Sequence, residues 1–117
     1  MKTLKIESCS FGSLVIDGET HTDDLIILPE GKILKPWWRQ RGHQLSMVDL
    51  EELLNSSPEV IVAGTGVRGG VKTDNNLKKD LALLAIELIA EPNEKAIEIF
   101  NNLSPEKRVG ACFHLTC

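Results

Sequence analysis

Val60-Ile61-Val62-Ala63 is an unbroken, mostly β-branched apolar run that stops abruptly at Gly64-Thr65-Gly66-Val67-Arg68-Gly69-Gly70. A run this short and apolar reads as a strand buried on both faces. Such a strand belongs in the middle of a covered sheet. In open α/β sheets, ligands sit in the crevice beyond the carboxyl ends of parallel strands. The glycine-rich loop supplies small residues, backbone N–H groups and one cation, Arg68, so it is the first candidate site. Gly64, Gly66 and Gly69 also spell G-x-G-x-x-G, with Glu91 at the distance expected of a ribose-binding acid. In that motif a helix opens within the fingerprint and points its N-terminus at the pyrophosphate. Here a polar stretch, 71–76, follows instead, and helical periodicity returns only near Leu77. About four β-like segments also precede the loop. A P-loop would need Gly-Lys-Ser/Thr, which does not follow. The expectation is therefore that no dinucleotide cofactor binds, and the plain alternative for the loop is a chain reversal.

The 117 residues suit one domain, and 42% apolar content is enough to fill one core. A net charge of −4 lacks the basic footprint of a nucleic-acid binder. No apolar run approaches the ~20 residues of a membrane span. The first residues show no signal-peptide pattern, so a cytoplasmic location is expected. Cys9, Cys112 and Cys117 are an odd number without a C-x-x-C pair, so neither a disulfide framework nor a four-ligand zinc site is expected. All three should be free thiols.

The first half of the chain reads as β. Leu4–Glu7, Ser13–Ile16, Asp24–Leu28 and Ile33–Trp37 are strand-like. Asp17-Gly18 is a hairpin signal, and His21 reads as a solvated turn residue. The second half alternates. Ser46 and Asp49 mark a helix start ahead of Val48, Leu50, Leu53 and Leu54. Strand 60–63 comes next, then a helical stripe of Leu77, Leu81 and Leu84, and a strand over 86–90. Asn93 is placed to cap a helix whose apolar face is Ala96, Ile97, Phe100 and Leu103. A last strand spans 108–115. These spacings imply right-handed crossovers and parallel pairing. The fold class is α/β, bordering on α+β: a mixed central sheet with a β-α-β-α-β second half and an antiparallel N-terminal β extension.

Trp37, Trp38, Arg39, Arg41 and His43 cluster between a strand and a helix. Tryptophan offers flat apolar area and arginine a bidentate fork for carboxylate or phosphate. Adjacent strand residues face opposite ways, so both tryptophans cannot fill one core. Arg39 reads as a surface recognition charge whose reversal would leave the melting temperature nearly unchanged. His43 and His114 are acid/base candidates, though His114, between Phe113 and Leu115, also reads as a hydrogen-bonded structural residue. A Cys117–His114 pair is not backed, because proximity in sequence does not supply the geometry.

Several of these positions together resemble the Mth938-domain family of unknown function, whose mitochondrial relatives are assembly factors of respiratory complex I. The resemblance rests on Phe11-Gly12, Asp17-Gly18, Trp37-Trp38-Arg39, Gly42-His43-Gln44-Leu45-Ser46 and Gly64-Thr65-Gly66. It continues through Ala96, Phe100-Asn101, Glu106-x-Arg108-Val109 and His114-x-Thr116-Cys117. It implies a compact α/β domain with a mixed sheet and no established chemistry. Asn93 stands where relatives often carry Thr, and Phe100 where they carry Tyr.

Two functional classes follow. The first is a non-catalytic binding, adaptor or assembly-factor-like module acting through a protein partner, and it is preferred. The alternative is a binder of a small anionic ligand, or an enzyme, using the crevice near Gly64–Gly70 with Arg39, Arg68 or Arg108. The candidate site residues are Trp37, Trp38, Arg39, His43, Ser46, Gly64, Thr65, Gly66, Arg68, Asn93, Arg108 and His114, with no metal and no cofactor expected. Whether the 37–46 segment folds over the glycine loop is left open, as is the oligomeric state. An exposed apolar patch at Trp37 or Trp38 would favour the first class, and a concave pocket with convergent Arg and His the second.

Overall fold

A computed structural model describes residues 4–117. The chain builds three sheets and three helices among these residues. The central sheet has five strands in the order β5-β4-β10-β7-β9: Ile33–Leu34, Leu25–Ile27, Val109–Phe113, Val60–Gly64 and Glu87–Glu91. Strands β10, β7 and β9 run parallel, with Ile61 opposite both Gly110 and Leu88. β4 joins β10 antiparallel, and β5 joins β4 antiparallel. The three strands expected in one parallel array are therefore all there. Each parallel partner needs a crossover, and α2 (Leu77–Leu83) and α3 (Asn93–Leu103) supply them.

Alternation along the central strands sorts the core into two layers. Val60, Val62, Val109, Ala111 and Phe113 face one side with Ala96, Ile97 and Phe100 of α3. That layer is closed by an antiparallel sheet of β1 (Ile6–Ser10), β2 (Ser13–Ile16) and β3 (Glu19–His21). Ile61, Ala63, Leu88 and Cys112 face the other side. There they meet Leu77 and Leu81 of α2, Leu53 of α1 (Glu51–Asn55) and the indole of Trp37. Both faces of β7 are thus dry, as its unbroken apolar run requires.

The Asp17-Gly18 turn has both residues at positive φ, the conformation that matches hairpin twist. It feeds β3, and this corrects the reading of His21. His21 is only 3% exposed, and its Nδ1 lies 2.9 Å from Lys35 Nζ. Lysine can only donate, so Nδ1 accepts. Near the irregular start of β1, Asn101 of α3 takes the place of a strand neighbour. Its Oδ1 accepts the Ile6 N–H at 3.0 Å and its Nδ2 donates to the Ile6 carbonyl at 2.8 Å. This gives the Asn of the Phe100-Asn101 pair a structural role.

Other expectations shift in detail. The fourth strand ends at Leu34, so Trp37 lies beyond it. Leu84, at the C-cap of α2, is exposed, and only Leu77 and Leu81 of the expected stripe are buried. No helix among the described residues is long and apolar enough to cross a membrane.

Candidate functional site

The carboxyl ends of β7, β9 and β10 meet the glycine loop, and the chain itself fills that crevice. Val67 N–H donates to the Thr116 carbonyl at 2.7 Å. Arg68 and Gly70 N–H groups both donate to the Cys117 carbonyl at 3.1 Å, and Thr65 N–H donates to Glu91. The Gly66 N–H goes to Asn93 Oδ1 at 3.1 Å. The donors that an anion would need are therefore already satisfied by the 114–117 segment and its neighbours. This corrects the picture of a loop with free N–H groups. Gly66, at φ +112°, has no room for a Cβ, which would stand 2.5 Å from the Cys117 carbonyl carbon. Gly64 is equally constrained, since a Cβ there would collide with the Phe113 ring and Asn93 Oδ1. After the loop the chain enters β8 (Lys72–Thr73) rather than a helix.

Asn93 is not a cap. Pro92 holds the cap position, and Asn93 is the first helical residue, with no exposed surface. Besides accepting from Gly66, it donates Nδ2 to the His114 carbonyl at 2.7 Å. It stitches the loop after β7 to the segment after β10. Gly64, Thr65, Gly66 and Asn93 are all buried, so they shape the rim without presenting side chains to a ligand.

The 37–46 segment does fold over this rim. β6 (Gln44–Leu45) pairs parallel with β8, and Lys72 N–H donates to the His43 carbonyl at 2.9 Å. Ser46 secures the turn that follows: its N–H and hydroxyl both donate to Asp49 Oδ2, at 2.9 and 3.1 Å. The other Asp49 oxygen accepts the Gln40 N–H.

Asp24, just ahead of β4, organises the polar centre of the rim. Its Oδ1 accepts the Leu115 N–H at 2.8 Å. Its Oδ2 lies 2.7 Å from His114 Nδ1 and 3.1 Å from Arg39 Nη1. Arg39 Nη2 also lies 2.9 Å from His114 Nδ1. A carboxylate only accepts and a guanidinium only donates, so Nδ1 can bond to one of them at a time. The shorter contact assigns the proton to Nδ1, donated to Asp24. His114 Nε2 then accepts from the Thr116 hydroxyl at 3.1 Å.

Arg39 is therefore not a surface charge. Its side chain is 5% exposed, it donates Nε to the Gly42 carbonyl at 2.9 Å, and its guanidinium lies 4.7 Å from the Trp37 ring centroid. Trp37 is buried and donates its indole N–H to the Asp49 carbonyl. Trp38, its neighbour, is 81% exposed. It overhangs a groove of about 210 Å³ bordered by Pro36, Val48, Glu51 and Glu52. Of the remaining candidates, Arg68 is exposed. Arg108 lies at the opposite, amino end of β10, where its guanidinium donates to the Ser56 carbonyl at 2.7 Å. It takes no part in the rim, and the grouping of Arg108 with Arg39 is corrected. Asp24, Thr116 and Cys117 were missing from the candidates. An acidic pair, Asp23-Asp24, directly before a fully apolar strand was the available sign for Asp24.

The three thiols are free, and they differ in environment: Cys112 is buried, Cys9 is half-buried and Cys117 is exposed. Burial pushes the Cys112 thiol from 9.0 up to about 12. The folded chain then keeps a proton that the unfolded chain releases. This thiol's contribution to stability is intact below pH 9.0 and is lost as the pH rises toward about 12. Titration with a disulfide reagent at neutral pH should label Cys117 rapidly in the native protein. Cys112 should react only after unfolding, and no prior reduction should be needed. Rapid native labelling of Cys112 would contradict its burial.

Comparison with known proteins agrees with this architecture. Residues 6–114 match the family model described as "Protein of unknown function (DUF498/DUF598)". The conserved hypothetical protein PH1505 from Pyrococcus horikoshii OT3 is 30% identical, with a TM-score of 0.84 over 97% of this chain and 99% of that one. The solved structure of MT938 is 27% identical, with a TM-score of 0.82 over 98% of this chain and all of that one. A Bordetella pertussis protein described as a Mth938-like domain shares the fold at 17% identity and a TM-score of 0.67, over 95% of this chain and 85% of that one. With a matching family model over nearly its whole length and the same mixed sheet, this chain belongs to the DUF498/DUF598 family of proteins of unknown function and has a Mth938-like α/β fold.

Proposed function

We propose that this domain is a non-catalytic binding module, of the adaptor or assembly-factor type, that acts through a protein partner docking on Trp38. The observation that carries this reading is the contrast within one tripeptide. Trp37 and Arg39 are committed to the interior, while the indole between them stands in solvent. An exposed Trp beside Pro36 and Val48, over a groove, has the composition of a binding hot spot. Glu51 and Glu52 make the groove's edge acidic, so the fitting partner segment carries an apolar or aromatic anchor next to Lys or Arg. The anionic-ligand alternative is weakened because the glycine loop has spent its donors and Arg39 is paired with Asp24.

Selection of binders from a random peptide library tests this. Enriched peptides should combine an aromatic or aliphatic residue with a neighbouring basic one. Trp38→Ala should weaken their binding roughly 30-fold, the effect of losing a hot-spot side chain. The same change should shift stability by no more than about 0.5 kcal/mol, as for an exposed position. Peptides that bind native and Trp38→Ala protein equally, or that are enriched in acidic residues, would overturn the proposal.

A further inference from the structure

We infer that His43, His114 and Cys117 form a binding site for one zinc ion on the rim beside the 114–117 segment. One ligand atom from each of the three residues lies within 4.8 Å of the others. His43 Nε2 is 3.3 Å from Cys117 Sγ, a separation that two atoms bound to the same tetrahedral ion would have. The rings of His43 and His114 stand edge to face, with centroids 5.9 Å apart. Imidazole and thiolate together match zinc, a borderline-soft ion, better than magnesium or calcium, which take oxygen ligands.

The surroundings of His114 strengthen the assignment. Its Nδ1 donates to Asp24, which orients the ring and leaves the lone pair for a metal on Nε2. A carboxylate behind a metal-binding histidine is the usual supporting arrangement, since it fixes the tautomer and raises the basicity of the ligand nitrogen. The Thr116 hydroxyl now occupies Nε2 at 3.1 Å and releases it by rotating about χ1. Arg39 is close, but Asp24 balances its charge. Binding replaces the S–H bond of Cys117 with a zinc–sulfur bond and releases one proton to the buffer, with no change of oxidation state. Three protein ligands leave the fourth position to water or to a donor atom from a partner.

The sequence hides this set, because His43 is remote from the other two residues in the chain and the spacing matches no zinc motif. The fold brings them together through the β6–β8 pairing, which fixes His43 above the 114–117 segment.

The test is titration of the metal-free chain with zinc chloride by calorimetry, in two buffers of different ionisation enthalpy, with cobalt(II) as a spectroscopic substitute. One equivalent should bind with proton release. Cobalt should give intense visible bands of tetrahedral coordination and a thiolate charge-transfer band in the near ultraviolet. Cys117→Ser should abolish the charge-transfer band, whereas Cys9→Ser should retain it. Cys117→Ser and His43→Gln should each weaken zinc binding by more than about tenfold, the least expected for losing a direct ligand. Both side chains are exposed, so circular dichroism should show an unchanged fold. Absence of stoichiometric binding would overturn the site. So would a charge-transfer band that survives Cys117→Ser, or zinc affinity unaffected by both variants. A zinc site that fails leaves the Trp38 groove untouched, because the peptide selection reads a different surface.

Discussion

Replacing Ile61 with Asp is expected to abolish cooperative folding. Ile61 is wholly buried in β7, which lies between β10 and β9. Its side chain packs into the layer formed by α1, α2 and Trp37. A carboxylate there would sit in an apolar layer with no counter-charge in it, and an unpaired buried ion costs several kcal/mol even after local relaxation. The lost apolar contacts add about 2–5 kcal/mol, the usual range for truncating a core aliphatic. A domain of this size has only about 5–15 kcal/mol of stability in total. Circular dichroism during heating should therefore show no cooperative transition for Ile61→Asp. Ile61→Val, which removes one methylene, should still melt cooperatively with a loss of about 0.5–1.5 kcal/mol. A native-like melt for the Asp variant would mean that β7 is not covered on that face.

Asp24→Ala should be the next most damaging change, for an electrostatic reason. The variant leaves the Arg39 guanidinium nearly enclosed and without a counter-charge, and it strands the Leu115 N–H and His114 Nδ1–H. Removing one partner of a buried ion pair costs about 3–5 kcal/mol. The melting temperature should fall by roughly 10–25 °C. Combining Asp24→Ala with Arg39→Met should recover part of the loss, because the second change removes the orphaned cation. If the double variant is no more stable than Asp24→Ala alone, the pair is not what holds the rim together. Arg39→Glu should likewise destabilise strongly by placing two carboxylates side by side, the opposite of what a solvated arginine would show.

The thiol titration and zinc binding are linked. Zinc held by Cys117 should protect this exposed thiol from the reagent, so the two measurements check each other on the same atom.

Much of the architecture could be read from local patterns. The apolar run at 60–63 indicated a strand covered on both sides, and alternation along β7 and β10 distributes those residues to two layers. Asp17-Gly18 announced its turn because few residue pairs accept two positive φ values. The stripe of Ala96, Ile97 and Phe100 predicted the helix that covers one face. Each of these signals is encoded within a few consecutive residues, and burial then acts on them in the expected way.

The site was legible only in part, because its partners are far apart in the chain. The family resemblance rests in part on Trp37-Trp38-Arg39, His43 and His114-x-Thr116-Cys117, but it does not say that they meet. Nothing near Arg39 in the sequence reveals that Asp24 neutralises it, so it read as a surface charge. Nothing around Gly64–Gly70 reveals that the 114–117 segment takes up the loop's donors. Asn93 looked like a cap because caps are local, whereas its actual bonds reach back to Gly66 and forward to His114. Secondary structure and core layering depend on period and burial, which one sequence displays directly. Charge pairing, donor satisfaction and the meeting of His43 with Cys117 depend on chain crossings, and only the tertiary structure decided those.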